Sequence, residues 1–206
     1  MGGGVTANVF DDVQTVDPIT GDVAVFSNDH VYRYVLTREF GPGPAVVWIG
    51  LNPSTADESK DDPTIRRIIG YSRREGFGRL IMLNLYGLRS TDPHGLMAVG
   101  DPCGPALVTH ALRYCANVDD VVVAWGAWWK QREHALIESP LRKLMVNTAT
   151  IAEALGRGEA RWRIRCLGTT ASGEPRHPLY VHRETPMVDW IPPVDLPESI
   201  EIGGEA

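Results

Sequence analysis

Four short segments concentrate the side chains able to bind or transform a small polar group. They are Gly50-Leu51-Asn52-Pro53-Ser54-Thr55-Ala56-Asp57; Asn84-Leu85-Tyr86-Gly87-Leu88-Arg89-Ser90-Thr91-Asp92-Pro93; Gly126-Ala127-Trp128; and the stretch from Gly168 through Gly173 to Arg176-His177-Pro178-Leu179-Tyr180. Amides, hydroxyls and guanidiniums dominate them, with prolines to stiffen the backbone, and such groups hydrogen-bond a polar, planar or anionic ligand. The chain contains no G-x-G-x-x-G, no G-x-x-x-x-G-K-[ST] and no G-x-S-x-G. Dinucleotide, P-loop and esterase chemistry therefore lose their main support. Three cysteines (Cys103, Cys115, Cys166) without C-x-x-C spacing supply neither a disulfide framework nor a four-thiolate cluster, and are expected to be buried structural thiols. Asp57, Asp61 and Asp62 could gather a magnesium ion. A carboxylate just before Pro63 reads more simply as a helix cap, so no metal and no cofactor are expected.

The elements that must position these segments alternate. Val23–Phe26 and Val31–Thr37 are β-rich runs around Ser27-Asn28-Asp29-His30, which predicts a hairpin. Gly41-Pro42-Gly43-Pro44 breaks the chain. Ala45–Ile49, Leu80–Leu85, Val121–Trp125 and Trp162–Leu167 are short apolar runs read as buried strands. Between them, Thr64 to about Glu75 is amphipathic: Ile65, Ile68, Ile69 and Ser72 share one face, and Arg66, Arg67, Arg73 and Arg74 lie away from it. Pro105–Ala116, Trp128–Glu138 and Leu141–Leu155 are further helix candidates. Strands alternating with helices predict an α/β class fold: a three-layer α/β/α sandwich with a central, mainly parallel four-stranded sheet, plus the N-terminal β-hairpin. In such sheets ligands bind beyond the carboxyl ends of the strands, which is where the four polar segments fall. The expected organisation is residues 1–40 as a lead and hairpin packed on the core, 41–185 as the α/β/α domain, and 186–206 as a loose acidic, proline-rich tail.

Composition supports a single globular unit. The 206 residues are 43% hydrophobic and 22% charged, enough apolar material for a sizeable core. No apolar run approaches the ~20 residues of a membrane helix, and no signal peptide is evident, so a cytoplasmic protein with no membrane partner is expected. The net charge of −6 is unevenly spread. Residues 1–30 and 186–206 each carry five acids and no Lys or Arg; all 20 basic residues, 17 of them Arg, lie in 31–185, giving that body a charge of +4. A basic, arginine-rich body permits a nucleic-acid or nucleotide partner.

The order of the motifs resembles the uracil-DNA glycosylase superfamily over roughly residues 45–182. Gly50-Leu51-Asn52-Pro53-Ser54 is similar to its first catalytic motif, most closely the G-x-N-P form of the mismatch-specific branch. Leu80-Ile81-Met82-Leu83-Asn84 is similar to the apolar strand ending in a base-reading asparagine, and Val121-Val122-Val123-Ala124-Trp125-Gly126 to the strand and glycine that follow. His177-Pro178-Leu179-Tyr180 resembles the histidine–proline start of the last motif, with Leu179 where that motif has serine. At closer range, G-L-N-P-S-T-A-D, D-D-P-T and H-P-L-Y resemble a bacterial and phage family catalogued as domain of unknown function 1643, which implies no activity.

The superfamily resemblance implies hydrolysis of an N-glycosidic bond. Asn52, a neutral amide, would hold a water by accepting a hydrogen bond, and Asp57, the nearest carboxylate in sequence, would supply the base. His177 would stabilise the departing base, and Asn84 would pair with its edge once it is flipped from the stack. Gly50, Leu51, Pro53 and Ser54 complete the base-binding set. Ser54 stands where strict uracil enzymes carry tyrosine, which implies room for a 5-substituted or otherwise modified base. Arg66, Arg67, Arg73, Arg74, Arg89, Ser90 and Arg176 are the candidates for backbone phosphates, DNA being the expected partner of a monomer. Two other readings stand beside this one: a non-catalytic module that binds a nucleotide or flipped base, and an enzyme acting on free nucleosides or nucleotides. Each segment also has a plainer reading: Asn52-Pro53 as turn chemistry, Asn84 as a backbone partner, the helix arginines as a solvated face, and Trp125, Trp128 and Trp129 as core.

Overall fold

Short apolar runs buried on both faces set the sheet. Val46–Ile49 and Leu80–Leu83 are all buried, as strands interior to a sheet must be. The computed structural model describes residues 12–127, 138–155 and 161–193. Strands β4 (Ala45–Gly50), β5 (Arg79–Asn84), β6 (Asp120–Val123) and β7 (Arg163–Cys166) pair in parallel in the spatial order β5-β4-β6-β7. Outside β5 follow β3 (Arg33–Glu39), β2 (Val23–Phe26) and β1 (Val13–Val16), each antiparallel to its neighbour. Outside β7 lies β8 (Val188–Asp189), also antiparallel.

This overturns the expected three-layer α/β/α sandwich around a central, mainly parallel four-stranded sheet. Among the described residues the sheet has eight strands, four of its seven pairings are antiparallel, and few helices cover it. The outer edge of β5 offers unpaired backbone groups, and β3 satisfies them in the register Leu36↔Met82 to Glu39↔Arg79. Residues 33–38 are all buried; β3 is an arm of the expected hairpin, antiparallel to β2, and at the same time an interior strand of the sheet through its pairing with β5. β1 lies in the expected polar lead and β8 in the expected loose tail. Trp190, just after β8, is 3% exposed and packs edge-on to Trp125 at 5.3 Å. The helix expected at Trp128–Glu138 falls largely on residues outside those described.

One helix, α1 (Pro63–Arg74), packs on one face through Ile65, Ile68 and Tyr71; α2 (Leu107–Cys115) and α3 (Pro140–Leu155) pack on the other through Leu107, Ala111, Leu141 and Met145. Helix α1 starts where Asp62 caps it, its Oδ1 accepting from the Ile65 N–H at 2.9 Å, with Pro63 in the first turn. Its buried Ser72 is satisfied by the Trp48 indole N–H at 3.0 Å. Cys115 and Cys166 are buried and Cys103 is half-buried; burial pushes the thiols up, to about 12, 11 and 11 respectively, so they stay protonated at neutral pH.

Candidate functional site

The parallel register aligns the strand ends that carry the polar segments. Gly50, the last residue of β4, lies opposite Asn84, the last of β5, and Ile49 lies opposite Val123 of β6. Backbone bonds bind the following loops to one another: Leu85 N–H to Gly50 O (2.9 Å), Tyr86 N–H to Leu51 O (3.0 Å), Ser90 N–H to Pro53 O (2.9 Å) and Gly126 N–H to Pro175 O (2.9 Å). Together they frame a cleft of about 790 Å³ at the carboxyl edge of the parallel strands, within the size range of small-molecule sites. Gly50, Leu51, Asn52, Ser54, Asn84, Ser90, Arg176 and His177 all line it.

Asn52 is held in one orientation. Its amide Nδ2 donates to Ser90 O at 2.8 Å and to Pro53 O at 3.1 Å. Both partners are carbonyls, so the NH₂ must face them and Oδ1 is the acceptor the residue offers. Asn84 is 2% exposed, and its Nδ2 has no hydrogen-bond partner among the described residues. A buried donor left unpaired is costly, and here it borders a cleft. Gly50 makes that placement possible: a Cβ there would stand 2.9 Å from Asn84 Oδ1 and 2.6 Å from Met82 Cε.

His177 precedes a 3-10 turn, Pro178–Tyr180, and its Nδ1 accepts from the Leu179 N–H at 3.3 Å. Nδ1 being the acceptor, the neutral ring carries its proton on Nε2. Burial lowers the imidazole below its usual value, opposed in part by the nearby Asp62 carboxylate, so the ring is neutral at pH 7 and donates through Nε2–H. Gly126, at φ +76°, lets the chain leave β6 and pass beneath this segment, its Cβ position 3.6 Å from His177 Cβ.

Several expected site residues lie elsewhere. Asp57 does not line the cleft: its Oδ1 closes a local turn by accepting from Ser59 N–H (3.1 Å), Ser59 Oγ (3.2 Å) and Lys60 N–H (2.8 Å). Partial burial pushes that carboxyl up, but these donors and Arg38 outweigh it and hold it below the usual carboxylate range. Pro53 supports the cleft through its carbonyl without lining it. The helix arginines are engaged within the protein. Arg67 donates to Val181 O, Arg74 to Arg183 O and Thr185 O, and Arg66 to Asp61 O, while Arg73 stacks over Phe40 at 5.2 Å. Arg89 lies over Phe26 at 5.0 Å and also donates to His30 O. Of the basic candidates, Arg176 borders the cleft, braced by a bond from its Nε to Thr169 O at 2.9 Å.

The cleft also gathers residues outside the expected catalytic and binding set: Asp62, read as a cap, Trp125, read as core, Tyr180 of the last motif, and Arg33, which sequence reasoning passed over. Asp62, the helix cap, is the carboxylate among its described lining residues. Arg33, from the start of β3, lines it and is 2% exposed. Trp125 lines it and is held from behind, its indole N–H donating to Glu174 at 2.7 Å; Glu174 is itself fully buried and paired with Arg142 at 2.8 Å. Tyr180 stands at the rim, 84% exposed. Among the described residues no group of three or more His, Cys, Asp or Glu side chains is arranged to hold a metal ion, and no helix is long and apolar enough to cross a membrane.

The model of the family described as Protein of unknown function (DUF1643) matches residues 33–179, well over half of the chain, and the chain belongs to that family. The matched stretch runs from Arg33 to Leu179 and so takes in three of the cleft's polar groups, Asn52, Asn84 and His177. No curated protein and no solved structure matches the chain.

Proposed function

We propose that the cleft binds a nucleobase and hydrolyses its N-glycosidic bond, the substrate being a modified or mismatched base in DNA. The observation that carries this reading is the convergence on one cleft of three complementary groups: the unpartnered buried Nδ2 donor of Asn84, the fixed Oδ1 acceptor of Asn52 and the Nε2–H donor of neutral His177. The resemblance of these same segments to the uracil-DNA glycosylase motifs supports it. In the reaction, water held by Asn52 forms a bond to the anomeric carbon as the carbon–nitrogen bond breaks. The electron pair leaves with the base, whose developing negative charge meets the His177 donor, and the proton released by water is taken up first by Asp62 and finally by the base. Asn84 hydrogen-bonds the base edge. Ser54, lining the same cleft, leaves space beside the ring for a substituent.

A second reading, a base-binding module without hydrolysis, is favoured by the commitment of the carboxylates: Asp57 to its own turn and one oxygen of Asp62 to capping α1. An abasic-site assay separates the two. Oligonucleotides carrying uracil, thymine mispairs and 5-substituted pyrimidines are incubated with the wild type, Asn52→Ala and His177→Ala. Alkali-labile breaks from the wild type, lost in both variants, are expected. Binding without breaks across the panel would instead assign a reader of bases.

A further inference from the structure

Three arginines are nearly fully buried: Arg33, Arg38 and Arg142. Two have carboxylate partners. Arg38 pairs with Asp61 at 2.7 Å and lies 3.8 Å from Asp22; Arg142 pairs with Glu174 at 2.8 Å and Glu138 at 3.0 Å. Arg33 forms no such ion pair among the described residues. One of its terminal nitrogens donates to Ala56 O, and its Nε–H, like those of Arg67 and Arg89, has no hydrogen-bond partner among the described residues, so the missing carboxylate contact is what sets this buried guanidinium apart. Burying a guanidinium without a counter-ion is among the costliest arrangements a fold can hold. Burial pushes Arg33 down to about 10, partly relieved by Asp62 and reinforced by Arg89 and Arg38, and it stays charged at neutral pH. It lines the same cleft as Asn84, whose Nδ2 is likewise unpaired. Two unsatisfied donor groups, one of them cationic, therefore border one cavity.

We infer that Arg33 is an anion-binding residue of the cleft, and that the physiological ligand brings a carboxylate or phosphate group to it. This deepens the base-binding reading by giving its substrate a formal negative charge. That charge has two possible sources: an acidic substituent on the base, or the phosphate of the nucleotide. The guanidinium's planar fork suits either oxyanion.

The test begins with inorganic phosphate, which involves no base. Thermal unfolding of the wild type, Arg33→Gln and Arg33→Lys is followed in phosphate and in sodium chloride at matched ionic strength. A saturable phosphate-dependent rise in Tm is expected for the wild type, absent in Arg33→Gln and weaker in Arg33→Lys, which keeps the charge but loses the fork. Calorimetric titration then compares uracil with 5-carboxyuracil, and deoxyuridine with its 5′-monophosphate. The charged member of one pair should bind about 10-fold tighter or better to the wild type, a charge-assisted hydrogen bond being worth at least that, and equally to its neutral counterpart in Arg33→Gln. The pair that discriminates names the source of the charge.

Equal affinity for charged and neutral ligands in the wild type, or discrimination surviving in Arg33→Gln, would overturn the assignment. If Arg33→Gln does not fold, Arg33→Met, which keeps an apolar stem without the charge, takes its place, and discrimination surviving there would overturn it instead. Phosphate stabilisation without any uracil or deoxyuridine binding would keep the anion site and remove the base reading; uracil binding with no charge preference would do the reverse.

Discussion

Replacing Gly50 by alanine puts a methyl group where the cleft leaves no room for one. The added methyl would sit 2.6 Å from Met82 Cε and 2.9 Å from Asn84 Oδ1. Met82 ends in a flexible thioether and can turn away. Asn84 cannot move so freely: it is buried, in register opposite Gly50, at the end of an interior strand. The amide must therefore rotate or the strand ends must part, and overpacking of this kind costs ~1–3 kcal/mol. For a chain of this size a cost of that order lowers Tm by roughly 2–12 °C. Calorimetry on the wild type, Gly50→Ala, Asn84→Ala and the double variant closes a thermodynamic cycle. Removing the Asn84 side chain clears the second of the two contacts, so the double variant should be more stable than the sum of the single effects predicts, by ~0.5–3 kcal/mol. Base binding should be lost in Gly50→Ala as well as in Asn84→Ala. A Gly50→Ala protein with unchanged Tm, or single effects that add within ~0.5 kcal/mol, would refute the claim that Gly50 exists to admit the Asn84 amide.

Two further outcomes follow from the same geometry. His177 is held neutral by burial, below its usual 6.5, with Asp62 opposing; the unfolded chain thus binds the extra proton first as pH falls. Its contribution to stability should be complete above ~6.5 and be lost as pH drops through the lower folded value, and His177→Gln should remove that acid-side loss in denaturation midpoints measured from pH 7.5 to 5. Asp62→Asn keeps a good capping side chain, so stability should change by less than ~1 kcal/mol, whereas the abasic-site rate should fall by ~10² or more if the second carboxylate oxygen serves as base; an unchanged rate would remove Asp62 from the reaction.

Asn52, Asn84 and His177 were legible as cleft residues because each falls in a polar segment following an apolar strand, where α/β sheets bind ligands, and because those segments resemble glycosylase motifs. Their adjacency was not legible, since it depends on the Gly50↔Asn84 register and on the bond from Gly126 N–H to Pro175 O, both long-range. Arg33 was invisible for a related reason. Within Val31–Thr37 it is one residue of a β-rich run, and the groups it meets in the fold, Gly87 O at its N–H and Ala56 O at its guanidinium, come from segments distant in the chain. The helix arginines show the opposite case. Their spacing correctly sets them off the apolar stripe of α1, but the carbonyls of residues 181, 183 and 185 that Arg67 and Arg74 meet come from more than a hundred residues away. Asp57 and Asp62 differ by local chemistry: a serine and a lysine just beyond Asp57 close a turn on its carboxylate, while Pro63 commits Asp62 to starting a helix whose first turn lines the cleft.

The balance of donors and acceptors in the cleft limits what can fill it. Arg33, Asn84 and His177 present N–H groups, two of them on side chains with an orphaned nitrogen. Asn52 presents an acceptor. A ligand rich in donors would leave the first three unpaired at the full desolvation penalty of each. On the proposed reading, a ring bearing carbonyl oxygens together with a carboxylate or phosphate would offer acceptors to these donors and leave Asn52 to hold a water. The same arrangement disfavours a neutral, amine-rich base such as adenine. Selectivity against that base should therefore come from unpaired donors in the protein and not from steric exclusion, because a cleft of about 790 Å³ has room for a purine.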